Sequence, residues 1–298
     1  MARSDVSFQS GNLKLAGHLY VPTTASDGKK LPAVITVHPF GGVKEQTSGV
    51  YADVLAQTGD FVALAFDRRH QGASEGEPRQ LEDGWGMVED VKAAVTYLSM
   101  LDNVDPNRIG VLGICAGGGY ALCATTTDPR IKATATVSGV DIGSFMHTLP
   151  RDQMLKMIAD GASDRVQYTR TGAVNYVPIV PELNAVTKDT PTLMAEGSEY
   201  YLTPRGQYKT SINRTVTWSY DMLAHYDSFK MLDWMVPRPL LFIAGSEADT
   251  LGYSEKAFAK AQDPKELFLI QGRTHIDLYD KAVPEVSPKL IDFFTKHL

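Results

Sequence analysis

The sequence predicts an α/β fold: a mainly parallel sheet covered by helices on both faces, with a largely helical cap inserted late in the chain. Three observations carry this. Short runs of continuous apolarity recur along the 298 residues, as strands buried on both faces require. Amphipathic helical patterns alternate with those runs, the rhythm of βαβ units. One interval then breaks the rhythm: between Gly139 and Pro237 about a hundred residues intervene where roughly 15–25 would complete a crossover.

The elements follow in order. Residues 6–21, with turn residues Ser10, Gly11 and Asn12 between two alternating segments, form an antiparallel hairpin at the sheet edge. Residues 32–37 (PAVITV) are the first buried strand and 61–66 (FVALAF) the second. Residues 108–114, 131–137, 240–244 and 267–270 continue the series. Between strands, Val88, Val91, Val95 and Leu98 fall on one helical face, and at the chain end Leu290, Phe294 and Leu298 repeat every four residues. The core is therefore 1–139 with 237–298, and 140–236 is the cap. The cap is rich in Met and aromatic residues, among them Met154, Met157, Tyr200, Tyr201, Trp218, Tyr220 and Tyr226. Most serve its own small core, and a few line a pocket.

Composition excludes several classes. A net charge of -6 gives no attraction to nucleic acid or an anionic membrane. No apolar run approaches the ~18–20 residues of a membrane span. The polar start Met1-Ala2-Arg3-Ser4-Asp5 lacks a signal-peptide centre, so a cytoplasmic protein is expected. Two cysteines, Cys115 and Cys123, are too few for a disulfide framework or a zinc site. No metal or cofactor is predicted. The expected partner is a small-molecule acyl substrate; a homo-oligomer is left open.

The chemistry gathers around Cys115. Gly113-Ile114-Cys115-Ala116-Gly117 follows a strand and opens a helix running to about residue 126. This is the G-x-S-x-G elbow with sulfur for oxygen: a sharp turn lifts the nucleophile above the sheet, and the flanking glycines relieve crowding. The helix start and a nearby imidazolium should favour the thiolate. Cys123, eight residues into the helix, is expected to be core.

A thiol nucleophile needs a base, and the base an orienting carboxylate. His275, just past the last strand in GRTHID, is the base. Asp249, in the GSEAD loop after the 240–244 strand, is the first choice of acid; Glu247 is the alternative and Asp141 a third. His38-Pro39-Phe40-Gly41-Gly42 ends the first buried strand and supplies one oxyanion donor. Pro39 has no N–H, so the predicted pair is the backbone N–H groups of Phe40 and Ala116. His38 braces this loop. Lys44 and Glu45 begin the next helix as surface or loop-bracing residues, and the 67–74 turn (DRRHQGAS) is architectural.

Through HPFGG, GICAGG, AGSEAD and GRTHIDLYD the chain resembles α/β-hydrolases of the dienelactone-hydrolase-like kind, where cysteine likewise replaces serine. It is still more similar to capped bacterial hydrolases related to fungal polyketide transferases. The resemblance implies a hydrolase acting on an ester, thioester or lactone through an acyl-cysteine. Thiolate leaves more readily than an amine, so unactivated amides are disfavoured. Two alternatives stand: transfer of the acyl group to an alcohol or amine, and a ligand-binding protein that keeps the fold without turnover. The long insertion means that a small lactone should not be carried over as substrate. Cap charges of both signs are interspersed, so nothing marks a carrier such as coenzyme A.

Overall fold

Gly11 adopts φ of +60°, and the tight turn it allows pairs β1 (Ala2–Ser10) with β2 (Leu13–Val21) in an antiparallel hairpin. A computed structural model describes residues 2–23, 28–235 and 237–298. Residue 1 and residue 236, which end two of the predicted segments, lie outside the described residues. The hairpin enters an eight-stranded sheet of order β1-β2-β4-β3-β5-β6-β9-β10. β3 (Leu31–Val37) pairs in parallel with β4 (Val62–Phe66) and β5 (Val104–Ile114), and β5 with β6 (Ile131–Val137). β9 (Leu240–Gly245) and β10 (Lys265–Ile270) complete the parallel part.

Alternating side chains feed two separate cores, as the pleat requires. Ile109 and Val111 of β5 face one way and Leu112 and Ile114 the other. The first face is covered by α2 (Gly84–Ser99), whose Val88, Val91, Val95 and Leu98 are buried, and by α3 (Ala116–Thr127). The second is covered by α1 (Thr47–Thr58) and α9 (Val283–His297), with Leu290 and Phe294 fully buried. α8 (Leu251–Lys260) packs on β9 and β10. The 267–270 run differs from expectation: Leu267, Phe268 and Leu269 are half-buried because β10 is an edge strand.

The long interval between β6 and β9 holds α4 (Ile142–Met146), α5 (Arg151–Thr171), α6 (Thr192–Leu202) and α7 (Ser219–Ala224). It also holds a two-stranded antiparallel sheet, β7 (Tyr176–Pro178) with β8 (Arg214–Val216), which the helical reading did not include. α5 buries only Gly161 along its 21 residues. Elsewhere the insertion is tied down by specific contacts: Gln46 Nε2 donates to the Gly206 carbonyl, and Ser211 Oγ to that of Gly41.

Candidate active site

At the elbow Cys115 takes φ of +53° and ψ of −124°, a conformation in which a residue with a side chain is strained and persists only when its surroundings enforce it. Here the surroundings are hydrogen bonds. Cys115 N–H donates to the Val137 carbonyl, and its own carbonyl accepts from Gly118 and Val140. A Cβ on Gly113 would lie 2.3 Å from the Gly117 carbonyl oxygen, and one on Gly117 would lie 2.3 Å from that of Val37. The glycines are therefore required by backbone packed against backbone.

The sulfur faces a cavity of about 220 Å³. Phe40, Ile276 and Tyr279 of the core share its wall with Ile142, Phe145, Met157, Val180, Met194, Tyr201 and Tyr220 of the insertion, and no charged residue lines it among those described. The backbone N–H groups of Ala116 and Phe40 and the Tyr279 hydroxyl are placed to favour a thiolate at this sulfur. The two donors predicted from sequence thus converge on one atom.

The loop that supplies Phe40 is braced from below. His38 Nδ1 lies 2.9 Å from the Pro39 carbonyl oxygen, and Nε2 accepts from Arg68 N–H. The Arg68 guanidinium donates to the same Pro39 carbonyl at 2.9 Å and pairs with Glu82 at 2.7 Å, both ions fully buried. Lys44 and Glu45 precede rather than begin α1. Lys44 is buried and binds Asp67 at 2.8 Å, and Asp67 also accepts from Lys44 and Ala73 N–H. This lysine is pinned inside because its ammonium has a carboxylate partner in the turn, so of its two predicted roles it fills the bracing one.

His275 stands differently from the expected triad. Its ring is completely buried, and among the described residues its two nitrogens are matched to hydroxyls rather than to Cys115 or a carboxylate. Nδ1 lies 2.5 Å from Thr250 Oγ1, and Nε2 lies 3.1 Å from the Tyr279 hydroxyl. Asp249, exposed, turns its Oδ2 to Leu193 N–H at the start of α6. Its charge still raises the ring's pKa through space. Glu247 is exposed beside Ser246, and Asp141 spends its carboxylate capping α4 and binding Ser228. The oxygen that meets Nδ1 thus belongs to Thr250, one residue past the predicted aspartate.

The protonation states also differ from the expected thiolate–imidazolium pair. Burial pushes the Cys115 thiol up, opposed only in part by Tyr279 and by the Ala116 and Phe40 N–H groups, each of which would donate to the thiolate form. Burial pulls His275 down to about 4, against the opposing charge of Asp249. Away from water both groups favour their neutral forms. The resting pair is therefore thiol and imidazole. Cys123 is half-buried against Tyr226, with its thiol also pushed up by burial.

Sequence reasoning missed Thr250 and Tyr279. Tyr279 had a signal: it lies four residues after His275, and the 3₁₀ turn Ile276–Tyr279 brings the two together. Tyr51 fixes that turn by donating to the Leu278 carbonyl at 2.6 Å.

The model of the dienelactone hydrolase family matches residues 15–160. The uncharacterized protein YcjY of Escherichia coli is 36% identical over the whole of both chains. The crystal structure of the hypothetical protein PA2218 from Pseudomonas aeruginosa superposes with a TM-score of 0.92 at 33% identity, covering 100% of this chain and 94% of that one. The α/β-hydrolase GrgF from Penicillium, which is named a polyketide transferase, superposes with a TM-score of 0.83 at 24% identity, covering 100% and 99%. The thiohydrolase aneE of Aspergillus aculeatus is 27% identical over 91% of this chain and 86% of its own. The architecture is the α/β-hydrolase fold. No helix among the described residues is long and apolar enough to cross a membrane.

Proposed function

The chain belongs to the dienelactone hydrolase family, and we propose that it is a hydrolase cleaving a carboxylic ester, thioester or lactone through an acyl-cysteine on Cys115. One observation carries the reading: a strained elbow holds a sulfur at the wall of an apolar cavity, on two backbone N–H groups. Donors fixed in this way stabilise a developing oxyanion without reorganising, and one such donor is typically worth about 10²–10³ in rate. When the sulfur moves onto the acyl carbon it vacates Phe40 and Ala116 N–H, which then receive the carbonyl oxygen. His275 is the base, oriented by Thr250, with Asp249 acting on it by charge alone. Water, deprotonated by the same base, releases the acid.

The cavity sets the acyl group. Without a lining charge it favours a neutral, apolar chain or ring. The insertion acts as the cap that closes over this group and excludes bulk water. That closure, with a relative named polyketide transferase, supports a second reading in which an alcohol or amine takes the acyl group from Cys115.

A series of p-nitrophenyl esters of increasing chain length tests this. Turnover should peak at medium chains and fall at least about 10³-fold in Cys115→Ala. Wild-type turnover by Cys115→Ala would end the proposal, and product analysis with competing alcohols separates transfer from hydrolysis.

A further inference from the structure

Resting on that reading, we infer that the Tyr279 hydroxyl is the proton relay between Cys115 and His275. The base is walled off: His275 has no exposed surface, while Tyr279 lines the cavity beside Cys115. Among the described residues the Tyr279 hydroxyl stands between the two groups: it lies 3.1 Å from Nε2, shares the cavity wall with Cys115, and is near enough to the sulfur to favour a thiolate there.

One polarity of this chain of contacts serves attack by a neutral thiol. With the imidazole proton on Nδ1, donated to Thr250 Oγ1, Nε2 is left bare to accept from the Tyr279 O–H. The Tyr279 oxygen then accepts the thiol proton. On attack the S–C bond forms as the S–H bond breaks. That proton passes to the Tyr279 oxygen while the proton already there moves to Nε2. The products are a tetrahedral oxyanion on Phe40 and Ala116 N–H, a neutral tyrosine and an imidazolium. Reversing the relay delivers the proton to the departing alkoxide or thiolate, and the same route serves water in the second half-reaction. Burial holds the Tyr279 phenol far above its ordinary range, so no tyrosinate accumulates and the hydroxyl passes protons without storing charge.

The relay is also rigid, as relay geometry demands. Beyond the Tyr51 bond to Leu278, Asp280 is held by Arg205 through two 2.8 Å hydrogen bonds, and the Tyr279 ring packs edge-on against Tyr200 at 5.3 Å.

The test is Tyr279→Phe in the full chain, which keeps the ring and removes the relay, assayed with a p-nitrophenyl ester turned over by wild type. The expected results are a loss in kcat/KM of about 10²-fold or more, little change in KM, and an unchanged melting temperature. In mixtures of light and heavy water, wild-type kcat/KM should vary with curvature, two protons moving together, and the residual activity of the variant linearly. A purely structural role would not change that shape. Activity within threefold of wild type, or above it, overturns the relay, and so does a linear wild-type dependence even if the variant fails to fold. If Cys115→Ala is inactive while Tyr279→Phe is unimpaired, the relay alone falls; if Cys115→Ala keeps turnover, the underlying reading falls with it.

Discussion

The elbow around Cys115 and the loop that carries His275 meet at one cavity, but they are held by different means. The elbow is backbone against backbone: Gly113 and Gly117 leave no room for a Cβ, and the sulfur rests on main-chain donors. The histidine side is built from side chains: Thr250, Tyr279, and beneath them Tyr51 and Arg205. Backbone constraints of the first kind tolerate no substitution. Side-chain constraints of the second kind degrade by steps, because a ring that loses one partner can still turn to another.

The largest effect should come from breaking the elbow. Gly117→Val sets a branched side chain against the Val37 carbonyl, so the variant should lose at least about 4 kcal/mol of stability or fail to fold. Chemical denaturation measures it, and a loss below about 1 kcal/mol would mean the elbow yields more easily than its contacts imply. On the other side, Thr250→Val removes the acceptor for Nδ1. Activity should fall about 10–100-fold with the melting temperature nearly unchanged, since the ring loses its orientation and not its place. Asp249→Asn should lower activity less than tenfold, because no hydrogen bond to the ring is lost. It should also move the acid limb of kcat/KM downward, as the charge that raises the His275 pKa is gone. Reversal of that order, Asp249 above Thr250, would restore the aspartate as orienting acid.

Protonation sharpens the contrast further. His275 titrates near 4 in the folded protein and near 6.5 unfolded. Between these values the unfolded chain binds the extra proton, so stability rises with pH across the window. The histidine's share is fully present above about 6.5 and falls away as pH drops towards 4, by roughly 3 kcal/mol at the low end. Comparing denaturation of wild type and His275→Gln at pH 7 and pH 4.5 isolates it. A difference that does not change with pH would place the ring's pKa near its ordinary value.

The same contrast explains what the sequence could reveal. A backbone device leaves its mark in glycine spacing, so the elbow was legible from GICAGG alone. Strands β3 to β6 were legible too, because continuous apolarity has one explanation in a doubly covered sheet. Which hydroxyl or carboxylate of GSEADT reaches His275 depends on how the loop turns under α6. There Leu193 N–H takes the Asp249 side chain and leaves Thr250 facing the ring. Those contacts join segments 56 and 25 residues apart, and no local pattern encodes them. The β7–β8 pair was equally hidden, each strand being three residues long. Neutral forms at the site follow from burial, which a sequence motif does not report.

Everything turns on the sulfur at the cavity wall. Intact-mass and peptide-mass analysis after a rapid quench with a p-nitrophenyl ester asks directly where the acyl group goes. One added acyl mass is expected, carried on the peptide containing Cys115 and absent in Cys115→Ala; turnover with no adduct there, or with the adduct on another residue, would rule out an acyl-cysteine on Cys115.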